Sequence, residues 1–380
     1  MYKNFVWFVQ DLYGTRDFIP LHAPRFIGNE KKYLIETIES TFVSSVGEFV
    51  DRFELSVAEY TGAKYAIATV NGTSALHIAL ILAGVQKDHE VITQSLTFVA
   101  TCNAIRYCGG TPVFVDVDKA TLGLSAKSLE DFLQEHAEIR NDGLCWNNGS
   151  NKIISACLPM HTFGFPVDLD AIKNVCDKYN IALVEDAAES LGSLYKEKHT
   201  GIIGKTATLS FNGNKIITTG SGGMILTNDE ALAKRAKHIT TTAKIPHQWE
   251  FDHDETGYNY RLANLNAALG LAQMESLPDF LKSKRKINHT YQQWGDEQGM
   301  KFIREPENCK ANYWLNVVLT ENLQQRNQML QQTNSMNVMT RPVWTPMHQL
   351  LMNQNCQKYN LINTEWLHNR LVNVPSSVSI

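Results

Sequence analysis

Residues 210–215 read Ser-Phe-Asn-Gly-Asn-Lys and are followed by Gly-Ser-Gly-Gly at 220–223. This stretch places a lysine at the end of a short polar turn, with a glycine-rich segment soon after it. Upstream, residues 184–190 read Val-Glu-Asp-Ala-Ala-Glu-Ser, so that a carboxylate closes an apolar run. Further upstream, residues 70–74 read Val-Asn-Gly-Thr-Ser and open a helical pattern. The chain therefore carries a glycine-threonine turn, a carboxylate and an amine, in that order.

These three motifs together suit the binding of pyridoxal 5'-phosphate (PLP). In this interpretation the amine of Lys215 binds the cofactor covalently, Asp186 faces the pyridinium nitrogen, and the turn at 71–73 holds the phosphate. Each motif alone is weak, because a lysine near glycines is usually a solvated loop residue and an aspartate after a strand is often a helix cap. Their joint occurrence favours a cofactor site.

Short apolar segments alternate with helical segments along most of the chain. This alternation predicts an α/β fold with a mostly parallel, buried sheet, because right-handed crossovers return each strand to the same direction. Loops at the carboxyl ends of such strands form the binding crevice. Gly72, Phe98, His161 and Asp186 each follow a predicted strand, so we expect them on one rim. The strands are predicted at 65–70, 90–94, 112–116, 152–159, 181–185, 206–211 and 223–227, and the helices between them at 74–83, 98–108, 125–135 and 169–179.

The segments outside this alternation predict an arm, a loop and a second domain. Residues 1–28 show little periodicity, and their prolines indicate an extended arm. The polar segment 141–151 is predicted to be an insertion loop, and Pro278 is predicted to bend or interrupt a helix that begins at Leu262. The C-terminal pattern predicts strands at 311–319 and 338–341 and a helix at 324–333. We therefore divide the chain into the arm at 1–28, a large PLP-binding α/β domain at 29–260, and a connecting helix with a smaller C-terminal α+β domain at 261–380.

The composition argues against several other classes of protein. The 380 residues are 43% hydrophobic and 19% charged with a net charge of -4, which is ordinary for a globular protein and gives no reason to expect nucleic-acid binding. The 7 cysteines form no CxxC pair, and their scatter predicts reduced thiols in a cytoplasm and no metal site. We find no signal peptide and no apolar run long enough for a membrane span.

Five segments resemble a known family of enzymes. They are NGTSALHIAL (71–80), QSLTFVATCNAI (94–105), EDAAESLG (185–192), SFNGNK (210–215) and GYNYR (257–261). In this order they are similar to the fold-type I PLP-dependent nucleotide-sugar aminotransferases of the DegT/DnrJ/EryC1/StrS group. The resemblance runs from about Ile19 to Pro375. It implies an aspartate-aminotransferase-like fold with a mostly parallel sheet of the seven-stranded type.

Four further segments indicate a subgroup of that family. They are FIPLHAPRFIGNEKKY (18–33), STFVSSVG (40–47), LNAALGLAQ (265–273) and NYWLNVVL (312–319), and they look most similar to the 4-aminotransferases of legionaminic-acid-type pathways. In those enzymes the substrate is a UDP-linked 4-keto-6-deoxy-N-acetylglucosamine. The resemblance therefore implies a UDP-4-amino sugar as the product, made for a surface glycan or a nonulosonic acid.

The resemblance also implies roles for five residues that contact the cofactor. Lys215 matches the lysine that binds PLP covalently and later moves a proton between the substrate carbon and the cofactor. Asp186 matches the carboxylate that keeps the ring nitrogen protonated, so that the ring can accept electrons. Gly72 and Thr73 match the turn whose backbone amides bind the phosphate, and Ser210 matches a hydroxyl donor to that phosphate.

Five more positions each have an alternative reading. Phe98 lies where the family stacks an aromatic ring on the cofactor, although it is also an ordinary core residue at a helix start. Glu189 lies where many relatives carry Gln or His beside the phenolic oxygen of the cofactor, and a surface ion pair is its alternative. Asn259 matches a residue that reaches the phosphate from the neighbouring subunit, which implies a homodimer with shared active sites; otherwise it is a turn residue. His161 and Arg261 are candidates for substrate contact, with a satisfied rim histidine and a structural ion pair as alternatives.

The resemblance implies amino transfer in two steps. L-Glutamate converts the cofactor to pyridoxamine 5'-phosphate and leaves as 2-oxoglutarate, and the UDP-linked 4-keto sugar then accepts the amine. Alternatives on the same fold are transfer to a dTDP- or GDP-linked keto sugar and sugar dehydration, although relatives with dehydratase chemistry carry His at the position of Lys215. A cofactor-free regulator would not need the full set of motifs. A nucleotide-dependent dehydrogenase would need the GxGxxG pattern, which residues 71–75 lack.

Overall fold

The structure is a computed structural model that describes residues 2–379, in which strands and helices alternate along most of the chain. The strands of the main sheet are rich in Val, Ile and Ala and are largely buried, as expected where helices cover both faces. None of the helices in this range is both long enough and apolar enough to cross a membrane. The strands are β1 (Tyr65–Thr69), β2 (Glu90–Gln94), β3 (Thr111–Val115), β4 (Ala137–Ile139), β5 (Cys145–Asn147), β6 (Lys152–Leu158), β7 (Ala182–Asp186), β8 (Leu194–Tyr195), β9 (Lys198–His199), β10 (Thr206–Ser210), β11 (Gly223–Thr227), β12 (Lys301–Phe302), β13 (Cys309–Lys310), β14 (Asn316–Leu319), β15 (Arg341–Pro342) and β16 (Leu371–Val374). The helices are α1 (Tyr2–Tyr13), α2 (Glu30–Glu39), α3 (Glu48–Thr61), α4 (Gly72–Ala83), α5 (Val99–Tyr107), α6 (Ala126–His136), α7 (Leu169–Lys178), α8 (Glu230–Thr240), α9 (Asn264–Gln298), α10 (Leu323–Ser335) and α11 (Ile362–His368).

The central sheet, within the described part of the chain, has nine strands, of which seven form its main path in the order β1-β11-β10-β7-β6-β2-β3. Strands β10, β7, β6, β2 and β3 run parallel to one another, whereas β11 is antiparallel to both β1 and β10. The prediction of a mostly parallel sheet of the seven-stranded type is confirmed. The carboxyl ends of β7 and β10, at Asp186 and Ser210, therefore lie at the same edge of the sheet.

A second sheet of four antiparallel strands forms from the C-terminal third of the described chain, in the order β12-β14-β16-β15. This agrees with the predicted α+β pattern, although β14 and β15 are shorter than the strands predicted at 311–319 and 338–341. The side chains of this sheet share a core with α1 and α9. The division of the chain into three regions with the predicted boundaries stays a prediction.

The prediction of an extended arm over residues 1–28 is wrong for its first half. Residues 2–13 form the helix α1, whose buried side chains include Phe5, Val6 and Val9. These residues recur at helical spacing, and Phe5 packs against Tyr291 with the ring centroids 6.2 Å apart. Residues 14–28 form no helix, and Ile19 pairs with Val338 beside the second sheet.

Two other local predictions are corrected. The segment 141–151 is not only a loop, because β5 pairs with both β4 and β6 and extends the central sheet. Of the bend or interruption predicted at Pro278, the interruption is wrong, because α9 runs unbroken from Asn264 to Gln298, 35 residues in all, and includes the proline. Leu277 and Phe280, on either side of the proline, are fully buried. Their packing outweighs the local cost of the hydrogen bond that proline cannot make.

A buried carboxylate fastens the end of β7 to the segment that precedes β10. Glu185 is fully buried, and its Oε1 accepts hydrogen bonds from the amides of Ile203 and Gly204 at 2.8 and 2.7 Å. Its Oε2 accepts from the amide of Gly201 at 2.7 Å and from Nε2 of His161 at 3.1 Å. Burial opposes ionisation, but the histidine and these amides outweigh it and hold the pKa of Glu185 below its ordinary value.

We predict that Glu185→Gln lowers the stability of the protein by about 3 kcal/mol at neutral pH, because an amide group cannot accept all four donors. A depressed carboxyl pKa stabilises the folded state above the ordinary value of 4.5, and this contribution is lost as the pH falls through the lower folded-state value. The difference in thermal midpoint between wild type and variant should therefore shrink on acidification. Glu197→Gln, at a surface ion pair, is the control. An equal midpoint for wild type and Glu185→Gln at pH about 7 would contradict the prediction.

Candidate active site

One cavity at the carboxyl edge of the central sheet has a volume of about 310 Å³. It lies between the start of α4, the ends of β7 and β10, and two tryptophans from the C-terminal part of the chain, Trp314 and Trp344. The structure brings together seven of the ten predicted site residues on the walls of this cavity. They are Gly72, Thr73, Phe98, Asp186, Glu189, Ser210 and Lys215.

The start of α4 forms a tight cradle at one end of the cavity. Oδ1 of Asn71 caps the helix by accepting from the amide of Ser74 at 2.8 Å. The first amides of a helix have no partner within the helix and carry its positive dipole end, so they suit an anion. Gly72 approaches Ser210 so closely that an added Cβ would lie 2.9 Å from the serine Cβ. The cradle therefore requires glycine and brings a hydroxyl beside the helix start.

Asp186 is a buried carboxyl group on the wall of the cavity. It is 2% exposed, and its Oδ2 accepts from Oγ1 of Thr101 at 2.8 Å while Oδ1 accepts from the amide of Ala188 at 3.2 Å. Burial raises the pKa of Asp186 above its ordinary value, against the opposing effect of these hydrogen bonds. A protonated ring nitrogen beside it would supply the positive charge that favours the ionised form.

Lys215 lies against a carboxylate and an aromatic ring. Its Nζ is 3.1 Å from Oε1 of Glu189 and 4.0 Å from the centroid of the Trp314 ring. Oε2 of Glu189 accepts from the amide of Phe163 at 2.9 Å. Burial raises the pKa of Glu189 to about 7, although Lys215 acts in the opposite direction. Glu189 is thus a buried partner of the lysine, and the alternative of a surface ion pair is wrong.

These residues fit PLP. The cradle at Gly72 and Ser210 suits the phosphate, the buried Asp186 suits the ring nitrogen, and the amine of Lys215 suits the aldehyde carbon. Phe98, directly before α5, is 46% exposed and its ring lies 6.0 Å from that of Trp344. A half-exposed aromatic side chain on a cavity wall offers a flat surface for a ring, whereas a core phenylalanine would be buried.

Three predicted residues do not line this cavity. His161 is fully buried, with Nε2 donating to Glu185 and Nδ1 accepting from the amide of Val167 at 3.2 Å. The prediction that His161 contacts the substrate is therefore wrong, and the alternative of a hydrogen-bonded structural histidine is correct. Arg261 is exposed and lines a different cavity. Asn259 is exposed and pairs with Thr241, so its predicted contact from a neighbouring subunit stays a prediction.

Sequence reasoning missed three residues that complete the site. Thr101 lies in the segment 94–105, about one helical turn after Phe98. Its position near the start of α5 was the one feature of the sequence that could have indicated it. Trp314 also lies within a quoted motif, where an indole ring among aliphatic residues was the only signal. Nε1 of Trp314 donates to the carbonyl of Asn214 at 2.7 Å, which fixes the ring over Lys215. Nothing local marked Trp344.

The fold and this cavity together define a PLP-dependent aminotransferase of fold type I. Residues 25–380 match the sequence model of the DegT/DnrJ/EryC1/StrS aminotransferase family, and the chain belongs to that family. It is accordingly a sugar aminotransferase that uses PLP. When bound, PLP supplies the electron sink for amino transfer.

Relatives with assigned names and solved structures agree with this membership. The chain is 36% identical to the GDP-perosamine synthase of Escherichia coli O157:H7, over 96% of this chain and 94% of the relative. It is 38% identical to the GDP-perosamine synthase of Caulobacter vibrioides, over 87% of this chain and 85% of the relative. The crystal structure of the aminotransferase TlmJ from Streptoalloteichus hindustanus superposes with a TM-score of 0.84 at 26% identity, over 94% of this chain and 93% of that one.

We predict that Gly72→Ala weakens PLP binding by at least about tenfold, because the new methyl group forces the helix start away from Ser210. The Kd for PLP would be measured by titrating cofactor-stripped protein. Gly213→Ala is the matched control. Gly213 lies in the turn that leads to Lys215, and an added Cβ there would meet no atom of the described residues within 4 Å. Equal affinities for the two variants would show that the cradle does not hold the phosphate.

We predict that the contribution of Glu189 to the stability of cofactor-stripped protein rises as the pH is lowered from about 7 toward 4.5. Its raised pKa means that the folded state keeps a proton that the unfolded state releases above the ordinary value of 4.5, so stability falls as the pH rises between these values. Glu189→Gln should remove about 3 kcal/mol of this dependence. Thermal midpoints across this pH range test it, with the exposed Glu59→Gln as control. A wild-type slope retained in Glu189→Gln would contradict the assignment.

Proposed function

We propose that the protein transfers the amino group of L-glutamate to C4 of a nucleotide-linked 4-keto-6-deoxy sugar. One observation carries the proposal: an amine, a buried carboxylate and an anion cradle, at Lys215, Asp186 and Gly72, line a single cavity. The names of two relatives support a nucleotide-linked sugar as the acceptor, since both are GDP-perosamine synthases.

Lys215 and Glu189 form the proton-handling pair of the proposed reaction. The amine of Lys215 is the group that takes a proton from the α-carbon of the donor in the first half-reaction and delivers one to C4 of the acceptor sugar in the second. With a pKa of about 7, Glu189 can hold or release a proton near neutral pH at 3.1 Å from that amine. The ring of Trp314 covers the amine and excludes water from one side. The chain thus supplies a base, an adjacent proton store and a dry wall.

The sequence segments and the named relatives indicate different nucleotides on the acceptor sugar. The four segments of the sequence that indicate a subgroup predict a UDP-linked N-acetyl sugar. The two relatives, which align over most of the chain, are named for a GDP-linked sugar. We take the GDP-linked 4-keto-6-deoxy sugar as the first candidate and the UDP-linked sugar as the second. The dehydratase alternative is not favoured, because the cavity holds Lys215 at the position where family members with dehydratase chemistry carry His.

We also propose that the active form is a homodimer in the cytoplasm. Asn259 is exposed and away from the cavity of its own chain, as expected of a residue that serves the cavity of a partner. Exposed apolar side chains at Ile35, Ile38 and Phe42, on and just after α2, supply a surface that a second copy would cover. The seven cysteines are free thiols, which suits a reducing compartment.

We predict that the purified holoenzyme loses the absorbance of bound PLP with L-glutamate and regains it when a GDP- or UDP-linked 4-keto-6-deoxy sugar is added after glutamate is removed. A 4-amino sugar nucleotide should appear by mass spectrometry. Lys215→Ala should keep the circular-dichroism spectrum of the folded protein but lose turnover by at least about 10³-fold, because no other lysine among residues 2–379 lines the cavity.

Each result separates the candidates. Recovery with the GDP-linked sugar alone, or the UDP-linked sugar alone, assigns the nucleotide. A response to glutamate followed by no recovery with either sugar would overturn the proposed acceptor while leaving the aminotransferase class intact. Normal multiple turnover by Lys215→Ala would overturn the role of the lysine.

A further inference from the structure

A second cavity adjoins the cofactor cavity and is about twice as large, at about 680 Å³ against about 310 Å³. Asn214, Trp314 and Trp344 line both cavities, so the two spaces meet at these side chains. The second cavity extends from there between the segment before α2 and the C-terminal sheet. A substrate whose reacting carbon lies at Lys215 must place the rest of its atoms in a neighbouring space, and this cavity supplies one.

The second cavity is lined by positively charged side chains. Arg326 and Arg341 line it, and within the part of the chain that the structure describes no aspartate or glutamate does. Neither guanidinium forms an ion pair with a carboxylate of residues 2–379. Arg341 donates to the side-chain oxygen of Asn334 at 3.2 Å and to the carbonyl of Thr340 at 3.0 Å, and Arg326 donates to neutral oxygens as well. Two unneutralised guanidinium groups in one cavity are suited to phosphate oxygens.

Polar atoms without partners lie on the same walls. Asn373 is 4% exposed, and its Oδ1 has no hydrogen-bond partner among the described residues. Neither ring nitrogen of His22 is hydrogen-bonded within that range, although both are shielded from solvent. Burial and the nearby Lys284 and Lys215 lower the pKa of His22, so its ring is neutral and offers one donor and one acceptor. Buried polar atoms are normally satisfied, so these atoms indicate a ligand that carries hydroxyl groups.

We infer that this second cavity binds the diphosphate of the acceptor at Arg326 and Arg341, with Asn373 and His22 accepting hydrogen bonds from hydroxyl groups of the attached sugar. The inference rests on the proposed function and assigns its substrate to particular side chains. The alternative occupant is the dicarboxylate donor. It is disfavoured because Oδ1 of Asn373 and the acceptor nitrogen of His22 would face carboxylate oxygens, which are also acceptors.

The test is binding of GDP and UDP to the PLP-loaded enzyme by isothermal titration calorimetry, with guanosine and uridine as uncharged probes. Arg341 is exposed, so Arg341→Met should fold. We expect it to weaken binding of both diphosphates by about tenfold or more and to leave nucleoside binding unchanged, because it removes a charge-assisted contact. Arg341→Lys should recover part of the loss. Arg304→Met, at a surface ion pair with Asp296, is the matched control.

A second variant tests the acceptor position. Asn373→Asp changes almost no volume and breaks no hydrogen bond at Oδ1, but it puts a negative charge into the cavity. We expect it to weaken binding of GDP and UDP, with recovery as the pH is lowered and the new carboxylate is protonated. A merely structural asparagine would not give this pH-dependent recovery.

Two results would overturn the inference. One is unchanged diphosphate affinity in Arg341→Met, and the other is a loss in the glutamate step as large as the loss in diphosphate binding, which would assign the cavity to the donor. Failure of the proposed function looks different: wild-type enzyme would bind the diphosphates in an Arg341-dependent way and yet aminate neither keto sugar.

Discussion

Burial of three carboxylates at the end of β7 is the constraint on which the site depends. Glu185, Asp186 and Glu189 lie within five residues, and each is at most 3% exposed. Buried carboxylates are costly unless donors or cations satisfy them. Glu185 receives three amides and His161 and has a depressed pKa, whereas Asp186 and Glu189 have fewer donors and raised pKa values. One of these anions thus fastens the fold, and the other two are available to the positive groups of the reaction.

The cavity residues that follow strands could be predicted from sequence, because parallel strands bring their carboxyl ends to one edge. That reasoning places a residue at the edge but does not say which way its side chain points. Met160 and Asp186 are bridge partners and both line the cavity, while their neighbours His161 and Glu185 turn away from it and contact each other. Successive residues of an extended chain point to opposite faces, and this alternation is what separates His161 from the site.

The rest of the structure could not be predicted because it depends on contacts between distant parts of the chain. Trp314 reaches Lys215 from a position about 100 residues later, and its ring is held by the carbonyl of Asn214. The helix α1 could not be predicted locally, because its apolar residues are buried only by contact with distant residues such as Tyr291. Pro278 is tolerated in α9 for the same reason, since packing and not local preference decides whether the helix continues.

The unbroken helix α9 also limits how this protein can move. At about 1.5 Å per residue its 35 residues span about 52 Å, from the core beneath the central sheet to the core shared with the C-terminal sheet. A hinge motion between the two sheets would have to bend α9 or break its packing against one of the two cores. We therefore expect the sheets to move as one body during turnover. Entry and exit of substrate then depend on short loops and on rotation of individual side chains at the cavity mouth, Phe98 and Trp344 among them.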